Sequence, residues 1–260
     1  MSDYIIRDNN LVYYENTLIL TNQKIVEAIN LANKALKTLQ TSTAKFDVNI
    51  FEALGLRNLS GLVGEYFAKC VMRISEGKLQ SNLHQDGYPD LLLVNTEKKK
   101  KYFESICFFE NGRYKPRDKA SFSPFKYGGL EVKACCGSTP TATEERSKPL
   151  IGEQRIQLVN GFDWKAHHRQ TNHLLGLLWD FVETRPMIVA CFYQNNLIED
   201  DWGKIVKPKE KGGRTTSVSV MRASGIKKMC KNWIAILNDN LYTQKLSAKK
   251  WIGVNVKENP

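Results

Sequence analysis

Three charged residues lie next to short apolar runs that are typical of buried strands. Asp90 directly precedes the run LLLV at 91–94, and Glu131 and Lys133 lie two residues apart within GGLEVKA at 128–134. Because side chains alternate across a strand, Glu131 and Lys133 are expected on one face and Val132 on the other. Charged side chains on a buried strand are costly unless they are paired or functional. The pattern therefore predicts one site divided between two adjacent strands.

The residue types of this predicted site suit a hard cation. Two carboxylates a few ångströms apart repel each other, and Mg²⁺ typically binds one or two carboxylates together with waters and a substrate phosphate. Asp90 and Glu131 are the predicted metal ligands, with the backbone carbonyl of Val132 as a third. Lys133 could position or deprotonate a water and stabilise charge developing on a pentavalent phosphorane. The chemistry expected of such a site is phosphodiester hydrolysis.

The segments Pro89-Asp90 and Glu131-Val132-Lys133 resemble the PD-(D/E)XK nuclease motif. The arrangement is similar to that of the type II restriction endonucleases in this superfamily, over roughly residues 58–193. The resemblance implies an α/β fold in which helices flank a central mixed β-sheet, as in restriction endonucleases. It also implies Mg²⁺-dependent cleavage of double-stranded DNA by a homodimer.

The same resemblance implies roles for individual residues. Asp90 and Glu131 correspond to the metal ligands of the family, and Lys133 corresponds to its catalytic lysine. Members often carry a further acid on the helix before the PD strand, and Glu65 fits that position.

Other interpretations of these charges stay open. Forty residues separate Asp90 from Glu131, which leaves room for an additional strand at YFESICFF, whose Glu104 could replace Glu131. Ile106 occupies the position where the motif requires lysine, so Glu131 is preferred. The chain could also be a DNA repair or recombination nuclease, such as a junction resolvase. In a further alternative it is a non-catalytic DNA-binding protein whose charges at 90, 131 and 133 form a structural ion-pair cluster.

The charge balance favours a polyanionic partner. The chain has 38 basic and 27 acidic residues, a formal net charge of +11. Residues 95–133 contain ten Lys or Arg against five acids, and residues 203–231 contain nine against one. Nucleic acid is a better match than a membrane, because no basic amphipathic helix stands out. Segments 95–128 and 203–231 are therefore predicted DNA-contacting additions to the catalytic core.

Two clusters are predicted to contact DNA. The loop KPKEKGGR has glycines that let the backbone approach a groove, an arginine that could read guanine, and lysines suited to phosphates. The segment FDWKAHHRQTNH is predicted to lie at the start of a helix, where phosphate or base-edge contacts are favoured. An exposed loop and a solvated helix end are the respective alternatives, and the histidine spacing does not suit an HNH or zinc site. The candidate residues are Lys207, Lys209, Lys211 and Arg214 in the loop, and Lys165, His167, His168 and Arg169 in the second cluster.

Several classes of protein are not expected. The N-terminal residues are charged and interrupted, so no signal peptide is predicted, and no apolar stretch is long enough for a transmembrane helix. The six cysteines lack zinc-site spacing and are interpreted as free thiols of a reducing cytoplasm. No glycine-rich phosphate loop is present, so no nucleotide cofactor is expected.

The elements that must position these residues follow from periodicity. Amphipathic helices are predicted at 21–40, capped by Thr21 or Asn22, and at 58–77. Strands are predicted at 90–94, 102–109, 129–136 and 186–193, with a helix at 171–183 before the last of these. The last third is predicted to contain a strand near 216–223, a helix running from about Ser224 to Leu237, and a final strand at 251–256. Residues 1–260 are interpreted as a single nuclease domain.

Overall fold

The computed structural model describes residues 3–140, 149–207, 217–248 and 251–252. Its thirteen described strands, numbered in chain order, are dominated by one seven-stranded sheet. The spatial order of that sheet is β1 (Tyr4–Ile6), β13 (Trp233–Leu237), β11 (Arg185–Gln194), β10 (Leu174–Val182), β8 (Gly129–Cys135), β5 (Leu91–Leu93) and β4 (Leu79–Ser81). The remaining strands form the pairs β2 (Val12–Tyr14) with β3 (Thr17–Leu20), β6 (Cys107–Glu110) with β7 (Arg113–Pro116), and β9 (Lys165–Ala166) with β12 (Ser219–Val220).

The main sheet is mixed, because β8 and β10 run parallel while every other neighbouring pair in it is antiparallel. Helices α1 (Asn22–Ala44), α3 (Leu56–Ile74), α5 (Ala223–Lys231) and α6 (Asn240–Ala248) lie against it. The short helix α2 (Ile50–Ala53) packs on α1, and α4 (Glu97–Ser105) packs on β6. The predicted α/β fold class, a central mixed sheet flanked by helices, is confirmed.

The two long amphipathic helices were predicted correctly. Thr21 caps α1, its Oγ1 accepting a hydrogen bond from the amide of Lys24 at 3.2 Å. Glu65 lies on the exposed side of α3. The fully or nearly buried residues of α3 are Leu59, Val63, Phe67, Ala68 and Val71.

The faces of the sheet are covered by different elements. Helix α3 lies over one face of β8, and a Cβ atom on Gly64 would be 3.8 Å from the Cβ of Ala134. On the opposite face, a Cβ atom on Gly176 would lie 2.6 Å from Cε of Met229 and 3.0 Å from the ring of Trp164. Gly176 is the β10 partner of Lys133, so Lys133 projects from the face opposite α3. Trp164 and Trp179 are fully buried.

The prediction of a helix at 171–183 is wrong, because residues 174–182 form the central strand β10. Nearly every residue of β10 is buried, since the strand lies between β8 and β11 and is covered on both faces. A continuous apolar run of this length does not distinguish a buried strand from a buried helix by periodicity.

Two further boundaries differ from the prediction. Helix α4, capped by Thr96, extends to Ser105, so only residues 107–109 of the predicted strand at 102–109 are extended. The predicted helix through Leu237 ends at Lys231, because residues 233–237 pair with β11 and β1 as strand β13. Trp251 and Ile252 are not in a strand, and the rest of that predicted strand lies outside the described residues.

All six cysteines are free thiols, and five of them are buried. No helix among the described residues is long and apolar enough to cross a membrane.

Candidate active site

Strand pairing brings Asp90 next to Glu131. Strands β5 and β8 are antiparallel, with Leu91 opposite Leu130 and Leu92 opposite Gly129. The residue before β5 therefore meets the residue after Leu130. The amide of Asp90 donates to Oε2 of Glu131 at 3.2 Å, and the amide of Val132 donates to Oδ2 of Asp90 at 2.8 Å. These crossed hydrogen bonds hold the two acids together.

Lys133 completes the cluster that sequence spacing predicted. Its Nζ lies 2.6 Å from Oε1 of Glu131 and 3.5 Å from Oδ2 of Asp90. The Glu131 side chain is only 7% exposed, whereas those of Lys133 and Asp90 are 21% and 31% exposed. The cluster is thus buried at Glu131 and open to solvent at Asp90. Glu104, the alternative to Glu131, is exposed on α4.

The environment raises the pKa of both members of the ion pair, Glu131 and Lys133. Burial and the nearby Asp90 charge raise the pKa of Glu131 to about 7, against the opposing effect of Lys133. Burial disfavours the charged form of Lys133, but the Glu131 and Asp90 carboxylates outweigh it and raise the lysine pKa above its ordinary value. Lys133 is therefore an ammonium at neutral pH and donates hydrogen bonds.

The donor set suits Mg²⁺ rather than a softer metal. Asp90 and Glu131 supply carboxylate oxygens. Because the N–H and C=O of one strand residue point the same way, the Val132 carbonyl lies on the Asp90 side of β8. Within the described residues there is no cluster of three or more His, Cys, Asp or Glu side chains that could hold a metal. Two carboxylates and a carbonyl are sufficient for Mg²⁺ when waters and a phosphate complete its octahedral shell.

Glu65 faces the same opening. It is exposed on α3 and lines a cavity of about 280 Å³ together with Asp90, Val132, Lys133 and His167. Glu65 forms no hydrogen bond to the Asp90 cluster in the described structure, so it borders the site without joining the ion pairs.

The predicted helix start at 165–169 is wrong, since these residues form β9 and a loop leading to β10. Lys165 is exposed, pairs with Asp163 at 2.8 Å, and lines the cavity with His167. The Arg169 guanidinium is directed at the 199–200 turn, donating to the Glu199 carbonyl at 2.8 Å.

His168 lies beside the candidate active site. Its ring packs edge-on against Tyr88 with centroids 4.1 Å apart, and its Nδ1 has no hydrogen-bond partner among the described residues. Burial, followed by the positive charge of Lys133, lowers the pKa of His168.

The basic loop is only partly described. Lys207 is exposed. The other candidates for DNA contact in this loop, Lys209, Lys211 and Arg214, lie outside the described residues.

Sequence reasoning missed three residues near the site. Tyr88 precedes the Pro89-Asp90 pair, and burial together with the Glu131 charge raises its pKa to about 12. Its position next to the motif was the available signal. Arg57 on α3 and Arg155 before β9 both line a cavity that reaches Lys133. No motif connects these two arginines, because they come from distant parts of the chain.

No protein-family model, curated protein or solved structure matches the chain.

Proposed function

We propose that this protein is a Mg²⁺-dependent endonuclease that hydrolyses double-stranded DNA at a short specific sequence, as part of a restriction–modification system. The observation that carries the proposal is the convergence of two carboxylates and a lysine at the junction of β5 and β8. Lys133 Nζ is 2.6 Å from Glu131 and 3.5 Å from Asp90. Nothing else in the described sheet combines buried acids, a cation and an opening to solvent in this way.

Each residue has a role that follows from its position. Mg²⁺ held by Asp90, Glu131 and the Val132 carbonyl would supply Lewis-acid stabilisation of the phosphate charge and acidify a water. The Lys133 ammonium orients the attacking water and stabilises the negative charge that develops as the water oxygen bonds to phosphorus and the leaving oxygen departs. Glu65 borders the same opening and supports the surrounding water structure.

The setting of the chain supports a DNA substrate. A net charge of +11 attracts a polyanion. Cleavage of both strands at one site is most simply achieved by a symmetric homodimer with one active site per strand. Six free cysteines support a reducing cytoplasm as its location.

The principal test is cleavage of a fully sequenced plasmid, with the fragment ends mapped. We expect discrete fragments with Mg²⁺ and none with EDTA. A Lys133→Met variant should lose at least about 10²-fold in cleavage rate, because a donor to the developing charge is removed. It should still bind duplex DNA in Ca²⁺. Lys37→Met, at an exposed position on α1 outside the segments predicted to contact DNA, is the matched control and should cleave normally.

One observation favours a non-catalytic rival. The short contact between Lys133 and Glu131 is also what a structural ion pair would form. Metal-independent DNA binding without cleavage of any substrate would establish that rival. Cleavage directed by DNA shape, without discrete bands from linear DNA, would instead indicate a repair or recombination nuclease.

A further inference from the structure

A second cavity opens beside the candidate active site. Its volume is about 500 Å³, and its lining includes the end of β8 from Lys133 and the residues that follow the strand as far as Thr139. Lys133 lines both this cavity and the one that contains Asp90, so the two are adjacent. The side chains that could bind a ligand in the second cavity are Arg57, Ser60, Lys133, Arg155, Asp163 and Lys165.

The charge in this cavity is positive because of two arginines. Four cationic side chains line it, but Lys133 is paired with Glu131 and Lys165 with Asp163, the one acid in its described lining, which leaves Arg57 and Arg155. No carboxylate in the described structure forms an ion pair with Arg57 or Arg155, so the cavity favours an anion.

Arg155 is the most informative of these residues. It is only 6% exposed, and its Nε has no hydrogen-bond partner in the described structure. A buried cationic donor without a partner costs considerable free energy. The nearby Asp180 does not compensate for it, because that carboxylate accepts the backbone amides of Arg155, Ile156 and Phe181 and the hydroxyl of Tyr242.

The first turn of α3 faces the same cavity. Leu56, Arg57 and Ser60 all line it. The cap residue Gly55 offers no side-chain hydrogen bond, and the first turn contains no acid. The free amides and the positive end of the helix dipole therefore add to the attraction for an anion.

We propose that this cavity binds the DNA phosphate adjoining the scissile one on the same strand, a step that rests on the proposed nuclease function. Glu131 and Lys133 lie two residues apart on β8, a distance of about 6.6 Å along the strand. Because Lys133 also lines the second cavity, the cavity begins within that distance of the proposed metal ligand Glu131. Arg57 and Arg155 bind the phosphate oxygens, and Lys133 lies between the two phosphates. Holding the neighbouring phosphate fixes the register of the scissile one.

The test combines protein variants with a modified substrate. Arg57→Gln and Arg155→Met are compared with Arg73→Gln, which changes an exposed arginine at the far end of the same helix. In Ca²⁺, we expect each cavity variant to weaken binding of a duplex containing the mapped site by about tenfold. The slope of log K against log salt should fall by about one for each variant. Arg73→Gln should change neither quantity.

A duplex with one neutral methylphosphonate next to the cut position identifies the phosphate involved. The modification should weaken binding to the wild type by a factor similar to that of Arg57→Gln. It should have little further effect on Arg57→Gln itself, because both changes remove the same contact. Additive losses, or an Arg57→Gln variant that behaves like Arg73→Gln, would overturn the inference.

Further controls distinguish failure of this proposal from misfolding of a variant, from binding of a free anion and from failure of the proposed nuclease function. Arg57 is exposed, so its variant gives a valid result even if Arg155→Met fails to fold. Thermal unfolding in the presence of inorganic phosphate tests whether the cavity binds a free anion. If phosphate stabilises the wild type but not Arg57→Gln, and the methylphosphonate has no effect on binding, the ligand is not a DNA phosphate and the proposal is refuted. Plasmid cleavage by the wild type is measured separately. If the wild type cleaves DNA but Arg57→Gln and Arg155→Met bind DNA as the wild type does, only the cavity proposal is refuted.

Discussion

Two buried carboxylates in this protein have different surroundings and different consequences. Glu131 accepts hydrogen bonds from Lys133 and from one backbone amide, beside a cavity open to solvent. Asp180 is surrounded instead by four donors, three of them backbone amides, and is 2% exposed. A saturated carboxylate of this kind has a structural role, whereas Glu131 retains capacity for a ligand.

We therefore predict that Asp180→Asn lowers the free energy of unfolding by about 3 kcal/mol, because the amide nitrogen cannot accept the hydrogen bonds that one carboxylate oxygen receives. Urea unfolding at neutral pH measures this loss. Asp86→Asn, at an exposed position, should change stability by less than about 0.5 kcal/mol. Equal stability of the two variants would contradict the structural role of Asp180.

At the scale of elements, the site depends on the close pairing of β5 with β8. A Cβ atom on Gly129 would lie 1.9 Å from the carbonyl oxygen of Leu91, so the two strands can approach only because this position is glycine. The same pairing places Asp90, the residue before Leu91, beside Glu131, which is two residues after Gly129.

Gly129→Ala should accordingly force the strands apart and lower the free energy of unfolding by about 2 kcal/mol. The cleavage rate should fall as well, because Asp90 and Glu131 are displaced from each other. Gly61→Ala on α3 is the control for stability, since a Cβ there has no atom within 4 Å and alanine favours the helix. Thermal unfolding and plasmid cleavage measure the two effects. A fully active Gly129→Ala protein would be inconsistent with this account of the pairing.

A second element contact predicts a pH dependence. The Asp201 carboxylate accepts hydrogen bonds from Lys228 of α5 at 2.6 Å and from the Ile198 amide at 3.0 Å. Burial alone would raise the pKa of Asp201, but these partners outweigh it and hold the pKa below its ordinary value. The contact therefore contributes stability at pH values above about 3.9, the ordinary aspartate pKa, and loses it as pH falls through the lower folded-state pKa.

The stability difference between wild type and Asp201→Asn should thus be greatest near neutral pH and should narrow below about pH 4. Urea unfolding at pH 7, 5 and 3 measures it. Asp200→Asn, at a neighbouring exposed position, should show little difference at any of these pH values. If the difference in free energy of unfolding between wild type and Asp201→Asn widened on acidification, the pKa of Asp201 would not be lowered in the folded protein.

At the scale of the whole molecule, charge is the dominant property. The net charge of +11 is distributed over many exposed lysines, and the two cavities beside the site add Arg57, Arg155 and Lys165. Binding of DNA by such a protein is driven largely by the release of counterions.

We expect the affinity for duplex DNA to fall by about 10³- to 10⁵-fold between 50 and 200 mM salt, as is typical when 6–10 phosphates are contacted. Fluorescence anisotropy in Ca²⁺ measures this dependence without cleavage. Binding that is insensitive to salt would argue against DNA as the partner.

Much of this protein follows from local sequence patterns. Helices α1 and α3 follow from apolar periodicity, and the shared face of Glu131 and Lys133 follows from strand alternation. Asp90, Glu131 and Lys133 are each marked by their position beside or within a short apolar run. These properties are local, because a few neighbouring residues determine each of them.

Other features were decided only by the tertiary structure. The apolar run at 174–182 is a strand because β8 and β11 lie on either side of it. Asp90 meets Glu131 because β5 pairs with β8 across an insertion that contains α4 and the β6–β7 pair. Arg57 and Arg155 meet at one cavity although 97 residues lie between them. Each of these contacts joins segments that are distant in the chain, and register and packing between such segments leave no periodic signal in the sequence.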